Sequence, residues 1–475
     1  MKSKQEIVTE LIKAGVLITP DFLQNNLIDE NLLNSYTKIE TIPEDESNNL
    51  IDVKTKVEII FNYNKATKKK DISHFVSYFR KRYETLSNLL MRRPELANVI
   101  SINRLWNKQL KETVAIIGLV SSKEETKNGH FILEIEDLTG KIKVLINKER
   151  KEIAKNIILD EVIGVIGSIG DKIVFSSEII YPDVPLTKEL KKSPDEICAA
   201  FISDIHVGSK MFLPEDFERF IDWLNGNVGS EKQKQFARRI KYLFVAGDIV
   251  DGVGIYPSQE NELNIKDIAE QYKTCAEYLN KIRKDVHIII CPGNHDAVRI
   301  GEPQPALINQ FTEPLTKMSN VILVSNPAII NIHKTDYFPG FDVLMYHGYS
   351  FDSYVSNVDS IREGGGYDRA DLIMKFLLQK RHLAPTYAST LYFMDNEEDP
   401  LIIKTVPDFF VTGHIHKTNV SNYNNISLIC GSCWQSKTNF QEKVGHNPEP
   451  SRVPVVNLKT REIKILRFGN ENLFQ

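Results

Sequence analysis

No stretch of this 475-residue chain reaches the roughly 18 consecutive apolar residues that a membrane-spanning helix needs. Insertion into a bilayer is therefore not expected. The opening MKSKQEIVTELIKAG is amphipathic and carries acids, so it does not read as a secretion leader. Cysteine is scarce: five residues, an odd number, are scattered at Cys198, Cys275, Cys291, Cys430 and Cys433. That pattern excludes the paired framework of a small secreted protein and suits a reducing cytosol. The C-x-x-C formed by Cys430 and Cys433 has no second pair nearby and reads as two structural thiols. Charge of one sign is also lacking, with 59 basic against 63 acidic residues and a net charge of −4. Such a balance argues against gripping nucleic acid by bulk electrostatics alone, so any such affinity must be local or borrowed. Finally, Gly364, Gly365 and Gly366 in REGGGYDR are followed by no G-K-S/T, which excludes a Walker-type phosphate loop and leaves a flexible loop.

Core material, by contrast, is ample. At 42% hydrophobic and 26% charged residues the composition is that of folded globular domains, and the length calls for two or three of them. Apolar spacing near the helical period over residues 2–35, with Ile7, Leu11 and Ile12 on one stripe, predicts a small helical module at 1–41. The polar tracts TIPEDESNN and KATKKKD bracket a linker at 42–71. From Lys65 to Lys108 the chain carries eleven Lys or Arg against three acids, a local excess read as a solvated helical face. Between about 113 and 183, five short alternating runs (TVAIIGLV, HFILEIED, KIKVLIN, EVIGVIGSIG and DKIVFSS) with one helix after the third predict a small Greek-key barrel of the oligonucleotide-binding type. Together with the basic helical segment ahead of it, this domain spans 72–192. Aromatics on these strands are few, mainly Phe131 and Phe175, so base stacking by the barrel is not indicated.

The remaining residues, 193–475, repeat one pattern: an apolar run that ends in a polar cluster. ICAAFISDIH, YLFVAGDIVD, VHIIICPGNHD, DVLMYHG and DFFVTGHIH all have this form. Apolar runs of this kind suit strands buried on both faces, and ligands of open α/β sheets sit just beyond the carboxyl ends of the strands. The clusters supply Asp204, His206, Asp248, Asn294, His295, His347, His414 and His416. On an extended chain, residues i and i+2 point the same way, so Asp204 with His206, and His414 with His416, are expected to reach toward one locus. Carboxylate, carboxamide and imidazole together suit Mn²⁺, Fe²⁺ or Zn²⁺ rather than Ca²⁺ or a thiolate site. Two such ions about 3.5–4 Å apart can clamp a phosphate and bring the pKa of a water near neutrality, which makes phosphodiester hydrolysis the natural reaction. A single histidine at a strand end is ordinarily a satisfied surface or core residue. Five clusters in series are not. Lys210 and Arg299, just after two of them, are candidates for contacting substrate phosphates.

The order D-x-H, GDxxD, GNH(D/E), H, GHxH resembles the calcineurin-like metallophosphoesterase superfamily. The resemblance implies an αββα sandwich with one ion held by Asp204, His206 and His416, a second by Asn294, His347 and His414, and Asp248 bridging. His295 would stay unliganded and assist the leaving group, with Asp296 orienting it. The flanks DIHVGSKMF, GDIVDGVGIYPSQE, PGNHDAVRIGEPQPAL, RHLAPTYA and GSCWQSKTNFQ are similar to those of the small subunits of archaeal family D DNA polymerases (DNA polymerase II), over roughly residues 100–475. This second resemblance implies an α+β and α/β multidomain chain with an OB-type barrel before the phosphoesterase domain. It also implies 3′ to 5′ hydrolysis of single-stranded DNA 3′ ends, two divalent ions (Mn²⁺ first, with Fe²⁺, Zn²⁺ or Mg²⁺ as alternatives), a heterodimer with a large polymerising subunit, and an archaeal cytosolic setting. Accessory subunits of eukaryotic replicative polymerases resemble the same plan without the metal ligands, so a non-catalytic scaffold is the alternative. A generic phosphoesterase acting on small nucleotides or phosphoproteins is a third reading. Every ligand position is retained here.

Overall fold

A computed structural model of the chain describes residues 55–65, 69, 71–394, 397–443 and 446–469, with Lys4 and Ile7 ahead of them. The chain divides into two compact units, Met1–Lys54 and Thr55–Gln475. Lys4 and Ile7 are helical. The rest of the helical module at 1–41 lies outside the described residues, as does most of the 42–71 linker. One part of that linker is structured: Val57–Asn62 forms strand β1, paired antiparallel with Ala328–Ile332. Its V-E-I-I-F-N run has enough β-branched and aromatic residues to add an edge to a sheet, a signal that the polar tracts on either side obscure.

Helix α1 (Ile72–Leu90) follows, opened by a capping box in which Asp71 accepts from the backbone of Ser73 and His74. Then come five strands, β2 (Thr113–Glu125), β3 (Phe131–Asp137), β4 (Gly140–Ile146), β5 (Val162–Ile169) and β6 (Ile173–Ile180), closed in the order β2-β3-β4-β6-β5. A short helix, Lys151–Lys155, sits after the third strand, where the sequence places it. In β3, Phe131, Leu133 and Ile135 point inward and alternate with half-buried Ile132 and Glu134, so strand period and burial agree. Phe131 belongs to the barrel core while Phe175 is exposed.

The chain beyond the barrel, together with β1, builds two facing six-stranded sheets among the described residues. Strands β7 (Cys198–Ile202), β8 (Ile240–Ala246), β9 (His287–Cys291) and β10 (Val321–Leu323) run parallel, and β16 (Arg452–Asn457) with β17 (Ile463–Arg467) extends that sheet. The second sheet holds β1, β11 (Ala328–Ile332), β12 (Phe341–Met345), β13 (Phe409–Thr412), β15 (Ile426–Cys430) and β14 (Asn419–Tyr423), with β12, β13 and β15 parallel. The apolar runs are continuous because both faces are covered. Along β7, Ala199 and Phe201 pack between the sheets, while Cys198, Ala200 and Ile202 pack against helices α2 (Pro214–Leu224) and α3 (Ile268–Asn280). Helices α4 (Phe351–Asn357) and α5 (Ala370–Lys380) cover the outer face of the second sheet, completing an αββα sandwich.

The basic segment at 65–108 is less solvated than a charge run normally is. Arg82 of α1 is fully buried; its Nε donates to Asp399 Oδ2 at 2.7 Å and its Nη1 to Pro385 O. The same carboxylate accepts from Tyr78 Oη at 2.7 Å and from His382 Nε2 at 2.8 Å. Nearby, Lys380 pairs with Glu161 of the barrel at 2.6 Å, both side chains 1% exposed. These polar contacts, with an apolar cluster that joins Leu86 and Leu90 of α1 to Ile117 and Ile402, fasten the barrel to the sandwich. Asp399→Ala leaves Arg82 buried and unpaired, and the expected loss in unfolding free energy is about 3–5 kcal/mol, read by urea denaturation.

The same network gives a pH dependence. Burial, with Arg82 beside it, pushes the His382 imidazole down to about 4; its Nδ1 accepts from the Ala384 N–H at 3.0 Å and has no room for a second proton. As pH falls from the unfolded value of about 6.5, the unfolded chain takes up a proton that the native state refuses. Stability is therefore complete above about pH 6.5, declines progressively to about pH 4 and levels off below it, a loss of about 3 kcal/mol from this group. His382→Gln, which keeps a donor toward Asp399, is expected to flatten that segment of the stability curve.

Candidate metal centre

The parallel strands β7, β8, β9, β12 and β13 deliver their carboxyl ends to one edge of the sandwich, and the polar clusters begin immediately after them. Five donors there, Asp204, His206, Asp248, His414 and His416, have left-handed backbone with φ between 51° and 72°. Each such residue costs on the order of 1–3 kcal/mol, a strain that persists only where surrounding structure enforces it. Asp204 and His206 thus converge through left-handed turns, not along an extended strand. The i, i+2 expectation fails altogether for His414 and His416, which face different donor groups.

The glycines of the clusters make this crowding possible. A Cβ on Gly293 would lie 2.1 Å from Asp248 Oδ1, and one on Gly413 would lie 2.6 Å from Asp204 Oδ2. Only a bare backbone fits behind either carboxylate.

Two groups of donor atoms make up the centre, and a third, His206 with Asp251 and His295, adjoins the first. Asp204, His206 and His416 form the first, and Asp248, His347 and His414 the second; within each group the atoms lie within 4.8 Å of one another. In the first, His206 Nε2 is 3.1 Å from His416 Nε2, and His416 Nε2 is 3.4 Å from Asp204 Oδ1. In the second, His347 Nε2 is 3.2 Å from Asp248 Oδ2 and 3.0 Å from Asn294 Oδ1, which is in turn 3.1 Å from His414 Nδ1. Asp248 Oδ2 also lies 4.0 Å from His206 Nε2, which places it between the groups.

The outward-facing nitrogens are held from behind. His347 Nδ1 donates to Ala246 O at 2.7 Å, His206 Nδ1 to Asp251 Oδ1 at 3.1 Å and His414 Nε2 to Asp352 Oδ2 at 3.0 Å. Each of these three rings is thereby oriented with its other nitrogen toward the cluster, the arrangement found in metal-binding imidazoles. His416 Nδ1 sits 2.9 Å from the Gln441 amide nitrogen. Electrostatics match this crowding. Burial opposes a charge on His347, but the neighbouring Asp248 lifts its imidazole to about 10. Burial and then Asp248 push Asp296 up to about 7.

His295 contributes to neither of the two central groups and belongs to the third, with His206 and Asp251. Its ring lies edge-on to His206, centroids 4.7 Å apart, and its Nδ1 donates to Asp251 O at 2.8 Å, leaving Nε2 as the open nitrogen. Asp296 does not orient it. Asp296 Oδ2 instead accepts from the backbone N–H groups of Asp248 and Gly293, at 2.9 and 2.8 Å, and so braces the turn that carries the central carboxylate. Asp251 does the orienting, a role the sequence pattern does not assign to it although it is the second acid of GDIVD. Its carboxylate is fixed in turn by Gln259 and Gln435, at 2.9 and 3.0 Å. Asp352 is likewise absent from the residues predicted by sequence; nothing in its spacing from His347 announces it.

Lys210 and Arg299 are engaged with their own loops: Lys210 Nζ donates to Asn261 O at 2.7 Å, and Arg299 donates to Pro303 O with its guanidinium 3.7 Å over the Phe393 ring. Cys430 and Cys433 are buried free thiols, and burial pushes Cys430 up to about 12.

Comparison with known proteins adds a family. The DNA polymerase II small subunit of Methanothermobacter thermautotrophicus is 41% identical over 402 residues, covering 84% of this chain and 80% of that protein. The chain belongs to the DNA polymerase II small-subunit family. Small subunits from Pyrococcus furiosus (37% identical, 91% of this chain and 72% of that protein) and Methanocaldococcus jannaschii (39%, 83% and 65%) align similarly. The family of DNA polymerase alpha/epsilon B subunits matches residues 199–421, and the OB-fold nucleic acid binding domain matches 114–173. The first match contains all seven donor residues of this small-subunit chain, and the second covers β2 to β5 of its closed barrel. A solved archaeal phosphodiesterase aligns with 57% of this chain and 99% of its own at 13% identity and a TM-score of 0.28, too slight a likeness to carry a conclusion.

Proposed function

We propose that this small subunit is a two-metal 3′ to 5′ DNA exonuclease that removes nucleotides from single-stranded 3′ ends and works as a heterodimer with the large, polymerising subunit. The observation that carries the reading is the pairing of two donor groups across one carboxylate. Asp204, His206 and His416 would hold one ion, Asn294, His347 and His414 the other, with Asp248 shared. The donor set fits Mn²⁺ first, and Fe²⁺, Zn²⁺ or Mg²⁺ as alternatives. When bound, two such ions supply positive charge that clamps a phosphodiester and acidifies the attacking water.

The chain's own residues do the rest. Ala246 O, Asp251 and Asp352 fix three ring orientations before substrate arrives, so no reorganisation is needed on binding. His295, with Nδ1 anchored on Asp251 O, presents Nε2 to the departing 3′ oxygen; as the imidazolium it gives that oxygen its Nε2 proton and regains one from the attacking water. Asp296 keeps the Asp248 turn closed. A net charge of −4 suits a subunit that receives DNA from a partner, and the barrel is a module that can contribute to that grip.

A scaffold role without catalysis is the alternative, and a proofreading assay separates the two. The heterodimer extends a primer with a mismatched 3′ terminus; the exonuclease reading predicts that His206→Ala abolishes removal of the mismatch. Undiminished removal by that variant favours the scaffold.

A further inference from the structure

Beside the donor cluster lies a cavity of about 240 Å³ whose wall includes Tyr367, Asp368, Ile415, Lys417, His446 and Asn447. We propose that it receives the nucleoside of the 3′-terminal nucleotide, whatever its base, while the phosphate is held at the metal centre. The proposal deepens the exonuclease reading and rests on it for the placement of the phosphate.

The position comes first. Ile415 lies between His414 and His416, so the turn that carries two donors is itself part of the cavity wall. Tyr367 Oη donates to Asp352 Oδ1 at 2.9 Å, and the other oxygen of that carboxylate holds His414. The cavity is thus on the His414 side of the cluster, whereas His295 packs against His206 on the other. Hydrolysis breaks the bond between phosphorus and the upstream O3′, which leaves with the proton from His295. The phosphate gains the water's hydroxyl, the water's other proton restores that of His295, and the phosphate stays on the terminal nucleoside, which is released as a 5′-monophosphate. A nucleoside that remains attached to the phosphate while the strand departs toward His295 belongs on the cavity side.

The wall chemistry comes second. The half-buried rings of Tyr367 and His446, centroids 4.1 Å apart and tilted by 56°, both contribute to it. Lys417, its side chain 18% exposed, is paired with Asp368 and so neutralised; Asn447 adds an amide and Ile415 an apolar patch. Flat π surface with a neutral polar edge suits a base and its sugar. Stacking accepts every base because each has a π face, which is what removal of any 3′ nucleotide requires. The REGGGYD tract, read from sequence as a flexible loop, builds this wall: Asp359–Glu363 and Gly366–Asp368 are helical turns, and Gly365, at φ 126°, lets the chain reverse between them and present Tyr367.

The test is equilibrium binding to the full chain in Mn²⁺, comparing dAMP with 2-deoxyribose 5-phosphate. Wild-type protein is expected to bind dAMP about tenfold more tightly than the sugar phosphate, the range of one stacked base. That ratio is expected to fall toward one in His446→Ala and Tyr367→Ala and to survive in Tyr367→Phe, which keeps the ring. Equal binding of the two ligands by the wild type, or a ratio preserved in both alanine variants, overturns the proposal. Should the alanine variants fail to fold, the wild-type ratio decides alone. If deoxyadenosine binds as tightly as dAMP while the preference for dAMP over the sugar phosphate stands, the phosphate site has failed and the nucleoside cavity has not.

Discussion

Replacing His295 with alanine is expected to lower exonuclease turnover by about 10²–10⁴-fold, the usual share of a general acid, with no loss of bound metal. His295 lies outside the two central donor groups, joining only His206 and Asp251, and its contact with Asp248 is made by the backbone N–H, at 2.8 Å to Oδ1, which alanine retains. What the variant loses is the imidazole whose Nδ1 is anchored on Asp251 O and whose Nε2 we propose as the proton donor to the leaving oxygen. Elemental analysis alongside single-turnover kinetics on a 5′-labelled strand checks both halves. Metal loss in parallel with activity would mean that the ring is a ligand. Unchanged turnover would mean that departure of the 3′ oxygen needs no proton from this side chain.

The second large effect is expected at Asp251. Its carboxylate holds His206 Nδ1 on the side of the ring away from the donor cluster, and Gln259 and Gln435 hold it in place. Asp251→Ala frees the ring to rotate and is expected to weaken the ion held by Asp204, His206 and His416 by about 10–100-fold, as loss of an orienting partner does elsewhere. The second ion, braced by Asp352 and Ala246 O, is expected to keep its affinity. Metal titration of the variant is therefore expected to show one site weakened and one unchanged relative to the wild type, with activity restored at high Mn²⁺. Asp352→Ala reverses the pattern. If Asp251→Ala weakens both ions equally or neither, the division of the donors into two groups is wrong.

The donors were legible in sequence, and the residues that orient them were not, for a physical reason. β7, β8 and β9 are buried on both faces, so each is a continuous apolar run, and the abrupt change to D-x-H, GD or GNH marks the point where the chain leaves the core. Sheet topology then carries all of those points to one edge. Asp251, Asp352 and Gln441 act across loops that meet only after folding; His206 and Asp251 are 45 residues apart, His414 and Asp352 are 62. No local period encodes such pairings. Asp296 shows the opposite hazard. It stands next to His295 in the chain, yet its carboxylate turns back to two backbone N–H groups in the turns before it.

The rest of the chain follows the same division. Alternation in FILEIED and GKIKVLI announced the barrel because each strand has one face inward. The charge run at 65–108 looked solvated because Arg82 finds its partner, Asp399, 317 residues away. Strand β1 stayed hidden because six residues between polar tracts carry little weight until β11 offers an edge to pair with.

The central claim, that two ions shared across Asp248 hydrolyse DNA from its 3′ end, is tested most directly by incubating 5′-labelled single-stranded DNA and Mn²⁺ with the heterodimer. The wild type and Asp248→Asn are compared. The account predicts a ladder of products shortened from the 3′ end for the wild type and only full-length DNA for the variant. Full-length DNA with the wild type, or digestion by Asp248→Asn at the wild-type rate, would contradict it.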